Sequence, residues 1–166
     1  MEYLDIVNEN GDCIGIAPRC VCHGNPALTH RTAHVIIRSS DGRILLQKRS
    51  MNKDTQPGKW DTAVGGHLAL GETYLDAAFR ETAEEIGITL AKPPEQLFSM
   101  AIRNNWESEQ TMVFSAVCDG PFTPQKEEVD ELRFWSGEEL LKVIGTNTLT
   151  PYLEYELDQL RKHQQL

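Results

Sequence analysis

Three glutamates, Glu81, Glu84 and Glu85, stand at i, i+3 and i+4, separations that bring side chains together on one helix face. The surrounding segment has the periodicity for such a helix. Leu75, Phe79, Thr82 and Ile86 recur at steps of four, three and four residues and define an apolar stripe. At about 100° per residue the three carboxylates fall roughly opposite that stripe, which predicts that they face away from the core. Like charges so spaced repel by roughly 0.2–0.5 kcal/mol per pair. An acidic helix face is by default a solvated one. Three converging carboxylates are also what a hard divalent cation takes, since Mg²⁺ prefers oxygen ligands and keeps waters that a substrate phosphate can displace. Just upstream lies Gly65-Gly66-His67-Leu68-Ala69-Leu70-Gly71-Glu72, whose glycines permit a tight turn or close approach of the backbone to a ligand.

The chain has 166 residues, 40% hydrophobic and 25% charged, enough to bury a core as one domain, 1–166. Its net charge of −9 repels nucleic-acid phosphates, and the only local basic stretch is Arg43–Arg49, so nucleic acid is not an expected partner. An acidic protein that acts on a phosphorylated substrate needs either concentrated basic residues or a bridging cation. Met1–Asn10 alternates apolar and acidic residues, unlike a signal peptide, and no apolar run is long enough to span a membrane. A cytoplasmic protein without membrane partners is expected, with Cys13, Cys20, Cys22 and Cys118 as reduced thiols.

The elements that must position the glutamates follow from turn and cap signals. Glu2–Val7 and Cys13–Ile16 flank the turn formers Asn8–Asp12 and predict a hairpin; Thr32–Arg38 and Arg43–Arg49, joined by Ser39–Gly42, predict a second strand pair. Gly87 stops the glutamate helix. Gln96–Arg103, Thr111–Val117 and Glu131–Trp135 read as strands, Gly137–Ile144 as a short helix, and Thr150-Pro151 as the capped start of a last helix reaching about Arg161. Strands alternating with three helices predict an α/β fold, a mixed sheet with helices on both faces.

Gly66, five residues, Glu72, seven residues and then Arg80-Glu81-Thr82-Ala83-Glu84-Glu85-Ile86-Gly87-Ile88 resembles the Nudix box at every polar and glycine position. Thr82, where the family usually has an aliphatic residue, is the one departure. The box covers 66–88, and the order of the flanking elements extends the resemblance to about 30–160. It implies a Nudix-type α/β/α sandwich, with residues 1–31 as an N-terminal β-hairpin extension. It also implies that Glu81, Glu84 and Glu85 bind Mg²⁺ (or Mn²⁺), that Gly66 offers its carbonyl, and that Glu72 and Arg80 form a structural ion pair. The implied reaction is water attack on a small-molecule diphosphate, such as a nucleoside diphosphate derivative, with Glu84 or Glu85 as base; metal ions would lower the pKa of the water and offset phosphoryl charge.

Further features resemble one branch of the superfamily, the isopentenyl-diphosphate isomerases. His23, His30, His67, Glu107 and Glu109 match its five-ligand metal site, and Arg49 and Lys53 match its diphosphate-binding pair. Three imidazoles and two carboxylates suit a second divalent ion, with imidazole favouring transition metals. Taken alone, His23 and His30 read as surface or hydrogen-bonded histidines, and Glu107 and Glu109 as solvent-facing residues of a strand-like segment. The isomerases carry a cysteine two residues before the histidine matching His67. Here that position is Gly65, which has no titratable group for proton transfer, and the box is intact where theirs is degenerate. Both differences favour hydrolysis over isomerisation; a non-catalytic sensor of diphosphate metabolites is the third alternative, and a homodimer is compatible with any of them. Cys20-Val21-Cys22-His23 lacks the second pair of a zinc knuckle. Trp60, Trp106 and Trp135 lie at strand edges, where packing is the default role.

Overall fold

Thr29–Arg38 is a ten-residue strand whose alternating side chains organise the molecule. In the computed structural model, which describes residues 1–166, Ala33, Val35 and Ile37 enter one apolar cluster and Ile36 another, as the two-residue strand period requires. In chain order the elements are β1 (Tyr3–Val7), β2 (Cys13–Pro18), α1 (Arg19–Cys22), β3 (Thr29–Arg38), β4 (Ile44–Arg49), β5 (Trp60–Thr62), β6 (Val64–His67), α2 (Tyr74–Ile86), β7 (Glu95–Arg103), β8 (Ser108–Val117), β9 (Val129–Trp135), α3 (Gly137–Val143) and α4 (Pro151–Lys162). The Ile36 cluster joins Leu140 of α3 and Leu153, Leu157 and Leu160 of α4 to the sheet; the Ala33/Val35/Ile37 cluster joins Ala77, Ala78 and Ile86 of α2. Helices therefore cover both faces of a mixed nine-stranded sheet, and each leucine so enclosed stabilises by roughly 1.5–3 kcal/mol.

β3 pairs in parallel with β8 along its whole length. Its other edge is shared by β1 at His30, β6 over Thr32–Val35 and β4 at Arg38. The expected β3–β4 pair is thus corrected to one position, Arg38 opposite Ile44. β6 occupies the rest of that edge, and β4 turns away to pair with β5 and β9. A fourth helix, α1, also escaped the sequence pattern; it has only four residues, too few for a periodicity to register.

Thr73 caps α2 by accepting from the Asp76 amide, and Gly87 ends it with φ 71°, a left-handed conformation that favours glycine. The buried stripe of α2 matches the expected one at Thr82 and Ile86 but not at Leu75 and Phe79. Ala77, Ala78, Glu81, Thr82 and Ile86 are buried, whereas Leu75 is exposed and Phe79 half-buried. Small side chains let the helix settle on the glycine strand β6, and this turns Glu81 inward. The expectation that all three glutamates face away from the core holds only for Glu84, which is exposed, while Glu85 is half-buried. Thr82 fits its buried position by donating from Oγ1 to the Ala78 carbonyl, 2.7 Å away.

The β1–β2 hairpin is latched to the loop before α2. Buried Asp5 accepts from Arg31 Nη2 at 2.7 Å and from the Gly71 amide at 2.9 Å. Asp5→Ala is expected to cost about 2–4 kcal/mol, between the cost of an unsatisfied buried polar group and that of a broken buried ion pair. Denaturant titration checks this, and a change below about 0.5 kcal/mol, the range of ordinary surface substitutions, would show that the latch is idle. All four cysteines are free thiols, and no helix is long and apolar enough to cross a membrane.

Candidate active site

A cleft of 1480 Å³ opens beside β3, β6 and α2, and of the candidate metal-binding, catalytic, substrate-binding and ion-pair residues all except His30 and Glu72 line it. On the α2 side the packing is tight. A Cβ at Gly66 would lie 2.1 Å from Glu81 Cδ, so the glutamate carboxylate occupies the space that a side chain at 66 would need. The Gly65 amide donates to Glu85 Oε2 at 3.1 Å. Arg80 binds Glu72 through two nitrogens at 2.8 Å each, reaches Glu81 at 2.7 Å and Glu84 at 3.1 Å, and donates to the His67 carbonyl at 2.9 Å. One guanidinium therefore ties the glycine loop to the acidic helix. Burial raises the Glu81 pKa, partly offset by Arg80. Burial also lifts Glu85, against the Gly65 hydrogen bond and with the charges of Glu81 and Asp61, to about 8. Crowded, recessed carboxylates of this kind are the oxygen donors a divalent cation takes, and their mutual repulsion is what its charge would relieve.

On the other side of β6, His23, His30, His67 and Glu107 each bring a ligand-type atom within 4.8 Å of the others. They come from α1's C-cap, β3, β6 and the residue before β8. Glu109 completes the group, 3.6 Å from His30 Nε2 and 3.7 Å from His67 Nε2. Parallel pairing sets His30 opposite Glu109, and antiparallel pairing sets Thr32 opposite His67; the sheet register thus assembles residues distant in sequence. His30 Nε2 is buried without a hydrogen-bond partner, and His23 Nε2 lies 3.4 Å from His67 Nε2. Burial, opposed by Glu109 and aided by His30, lowers the His67 pKa to about 3; burial also lowers His23, against Glu107. Three imidazoles with converging ring nitrogens and two carboxylates are a donor set that fits a transition metal. The Glu107 carboxylate also accepts from the Tyr152 hydroxyl, which in turn accepts from Asn104 Nδ2 at 2.8 Å.

Arg49 and Lys53 line the same cleft. Lys53 pairs with Glu128, and Arg49 lies 3.4 Å from Asp61 and donates to the Thr55 carbonyl and hydroxyl at 3.1 Å each. Trp106 is exposed beside the histidines, with ring centroids 6.5 Å apart for Trp106 and His23, whereas Trp60 and Trp135 are buried edge to face at 5.1 Å.

Sequence reasoning missed His34, Glu156 and Asp61. His34 Nδ1 hydrogen-bonds Glu156 Oε2 across 122 residues of chain. Asp61 accepts from Thr150 Oγ1 and from the Thr62 amide, both at 2.9 Å, and burial raises its pKa. Burial acts on the His34 imidazole by lowering its pKa, but the charge and hydrogen bond of Glu156, with Glu109 and Asp61, outweigh it and lift it to about 9. No local motif marks these three residues. The available signal was weak: a histidine at 34 beside the apolar run Val35–Ile37, and a glutamate at 156 on the Leu153, Leu157 and Leu160 stripe of an amphipathic helix.

The shifts of His34 and Glu85 carry one sign. Both groups hold a proton in the folded state above the pH at which the unfolded chain releases it, so their stabilisation is present at low pH and lost as pH rises. Glu85 acts from the ordinary carboxylate range up to about 8, and His34 from the ordinary histidine range up to about 9. The melting temperature of the metal-free protein is therefore expected to fall between about pH 6.5 and 9. Thermal scans in chelator across that range check it; a rising melting temperature would contradict the assignment.

The site is thus a glycine strand wedged against a carboxylate-bearing helix, between helices that cover both faces of the sheet. Residues 28–154 match the NUDIX domain, and the chain belongs to that family. It is 35% identical over 143 residues to an uncharacterised Nudix hydrolase of Yersinia pestis, covering 84% of this chain and 76% of the relative. It is also 30% identical over 166 residues to an isopentenyl-diphosphate Delta-isomerase of Clavibacter sepedonicus, covering 96% and 87%. Among solved structures, DR0079 from Deinococcus radiodurans superposes with a TM-score of 0.80 at 25% identity, over 95% of this chain and 98% of that one.

Proposed function

We propose that the chain is a divalent-metal-dependent hydrolase that cleaves a diphosphate linkage in a small molecule, a nucleoside diphosphate derivative or a related diphosphate, by water attack. The observation that carries this reading is the intact glycine–glutamate wedge: Gly66 with no side chain, Glu81 filling its place, and Glu85 held by the Gly65 amide. Glu81, Glu84, Glu85 and the Gly66 carbonyl would hold Mg²⁺ or Mn²⁺, and His23, His30, His67, Glu107 and Glu109 a second divalent ion. Such ions supply a lowered water pKa and charge compensation at the phosphoryl oxygens. Glu85 is the base of choice over Glu84, because it is recessed in the cleft while Glu84 is exposed and paired with Arg80. Arg49 and Lys53 bind the diphosphate; Arg80 and Glu72 keep the loop registered on the helix. The whole chain acts as a single domain in the cytoplasm, residues 1–31 forming an extension latched through Asp5.

A second reading, isomerisation of isopentenyl diphosphate, is favoured by the likeness to an isomerase over 96% of the chain and by the histidine–glutamate cluster. Gly65 tells against it, since it stands where the isomerases carry their cysteine. Incubation with nucleoside diphosphate derivatives and with isopentenyl diphosphate, with Mg²⁺ and with chelator, separates the readings. Hydrolysis predicts metal-dependent phosphate or monophosphate release, isomerisation predicts the dimethylallyl isomer without release, and tight binding with neither product would indicate a sensor.

A further inference from the structure

Glu156 lies on α4 among Leu153, Leu157 and Leu160 and has no solvent exposure. Its Oε2 is bound to His34, and its Oε1 has no partner. Burying such a pair gives little net stability compared with an apolar replacement, so its presence in the apolar face of a helix calls for another role. The imidazole it holds is not enclosed. His34 lines the cleft, and its Nε2 makes no hydrogen bond within the protein. The ring edge is bare because residue 65 is a glycine: a Cβ there would sit 2.9 Å from His34 Cδ2 and 3.1 Å from Nε2. The other lysine and arginine side chains of the cleft are engaged, Lys53 by Glu128, Arg80 by three glutamates, Arg49 by Asp61 and Thr55 and Arg19 by Glu2. Carboxylates act on His34 from three elements, Glu156 of α4, Asp61 of β5 and Glu109 of β8, while Glu85 of α2 is the further titratable group near it and β6 presents only Gly65, so a positive imidazole is compensated there.

We propose that His34, oriented by the buried Glu156 carboxylate and uncovered by Gly65, is a substrate-binding residue whose Nε2–H donates to a non-bridging oxygen of the diphosphate. The assignment rests on the diphosphate-hydrolase reading and adds a positioning pair, His34 and Glu156, on the face of the sheet opposite α2. With Nδ1–H directed at Glu156, the second N–H is fixed in direction, as recognition of a phosphoryl oxygen needs. Glu156 acts through His34 and does not itself meet substrate.

The test uses methylenediphosphonate, a non-hydrolysable diphosphate, with Mg²⁺ and the full chain. Calorimetry on the wild type, His34→Gln, Glu156→Gln and Gly65→Ala is combined with ¹⁵N-histidine spectra. The expected results are a roughly 10–100-fold loss of affinity in the His34 and Glu156 variants and a displaced His34 Nε2 resonance on saturation of the wild type. Gly65→Ala keeps the buried pair and covers only the ring edge. It is expected to weaken binding too, which preserves the test if the other variants fail to fold. Wild-type affinity in the folded variants, or a His34 Nε2 resonance that ignores saturating ligand, would overturn the proposal while leaving the hydrolase reading intact. No binding by the wild type in the presence of Mg²⁺, together with no diphosphate turnover, would remove both.

Discussion

Glu85→Gln is expected to lower kcat by roughly 10²–10⁴-fold, the contribution typical of a positioned general base, with KM changing much less. The same substitution should raise the melting temperature of the metal-free protein near pH 8. It removes a carboxylate that burial and the charges of Glu81 and Asp61 disfavour in its ionised form, while an amide can keep an acceptor for the Gly65 N–H. A variant that is slower yet more stable is what a site holding function at the expense of stability should give. Glu84 is exposed, so Glu84→Gln should leave the melting temperature nearly unchanged and raise the metal concentration needed for activity. Steady-state kinetics with a metal titration, beside thermal scans, checks all three statements. Wild-type turnover in Glu85→Gln would end its assignment as base.

Gly66→Ala is expected to abolish activity without unfolding the protein. The added methyl would meet Glu81 Cδ at 2.1 Å and its two oxygens at 2.2 and 2.4 Å, distances no contact survives. What must move is the end of a flexible side chain rather than backbone, so folding should lose no more than the roughly 1–3 kcal/mol of a moderate overpacking. The displaced carboxylate leaves Arg80 and the glycine strand, and a rate loss of about 10²-fold or more is expected from misplacing a group at the reaction centre. Circular dichroism and kinetics on the purified variant check the pair of outcomes. A folded, fully active Gly66→Ala would mean that the Glu81 carboxylate need not occupy that space.

Local signals in the chain located the elements but not always their faces. Thr150-Pro151 and Gly87 marked a helix start and a helix end that the structure retains, because caps depend on residues within a turn of one another. The face of α2 could not be had in the same way. Leu75 and Phe79 outrank Ala77 and Ala78 in hydrophobicity, yet the helix sits on its alanines because a glycine strand admits close approach only to small residues. That preference belongs to the partner strand, not to the helix. The single-position contact of β3 with β4 has the same origin: β6 and β8 compete for the edges of β3, and a turn signal between two strands says nothing of that competition. The grouping of His23, His30, His67, Glu107 and Glu109 was visible only through family resemblance, since strand register rather than spacing joins them. His34 and Glu156, 122 residues apart, had neither a motif nor a spacing to announce them.

The central claim, that this cleft adds water across a diphosphate, is tested most directly by turnover in ¹⁸O-enriched water followed by mass spectrometry of the phosphorus-containing products. The account predicts one ¹⁸O atom in one of the two phosphoryl products per cleavage, in the presence of Mg²⁺ and not in chelator, with the label nearly lost in Glu85→Gln. Complete consumption of isopentenyl diphosphate to its dimethylallyl isomer with no ¹⁸O in any phosphoryl group, and no labelled product from nucleoside diphosphate derivatives, would contradict it.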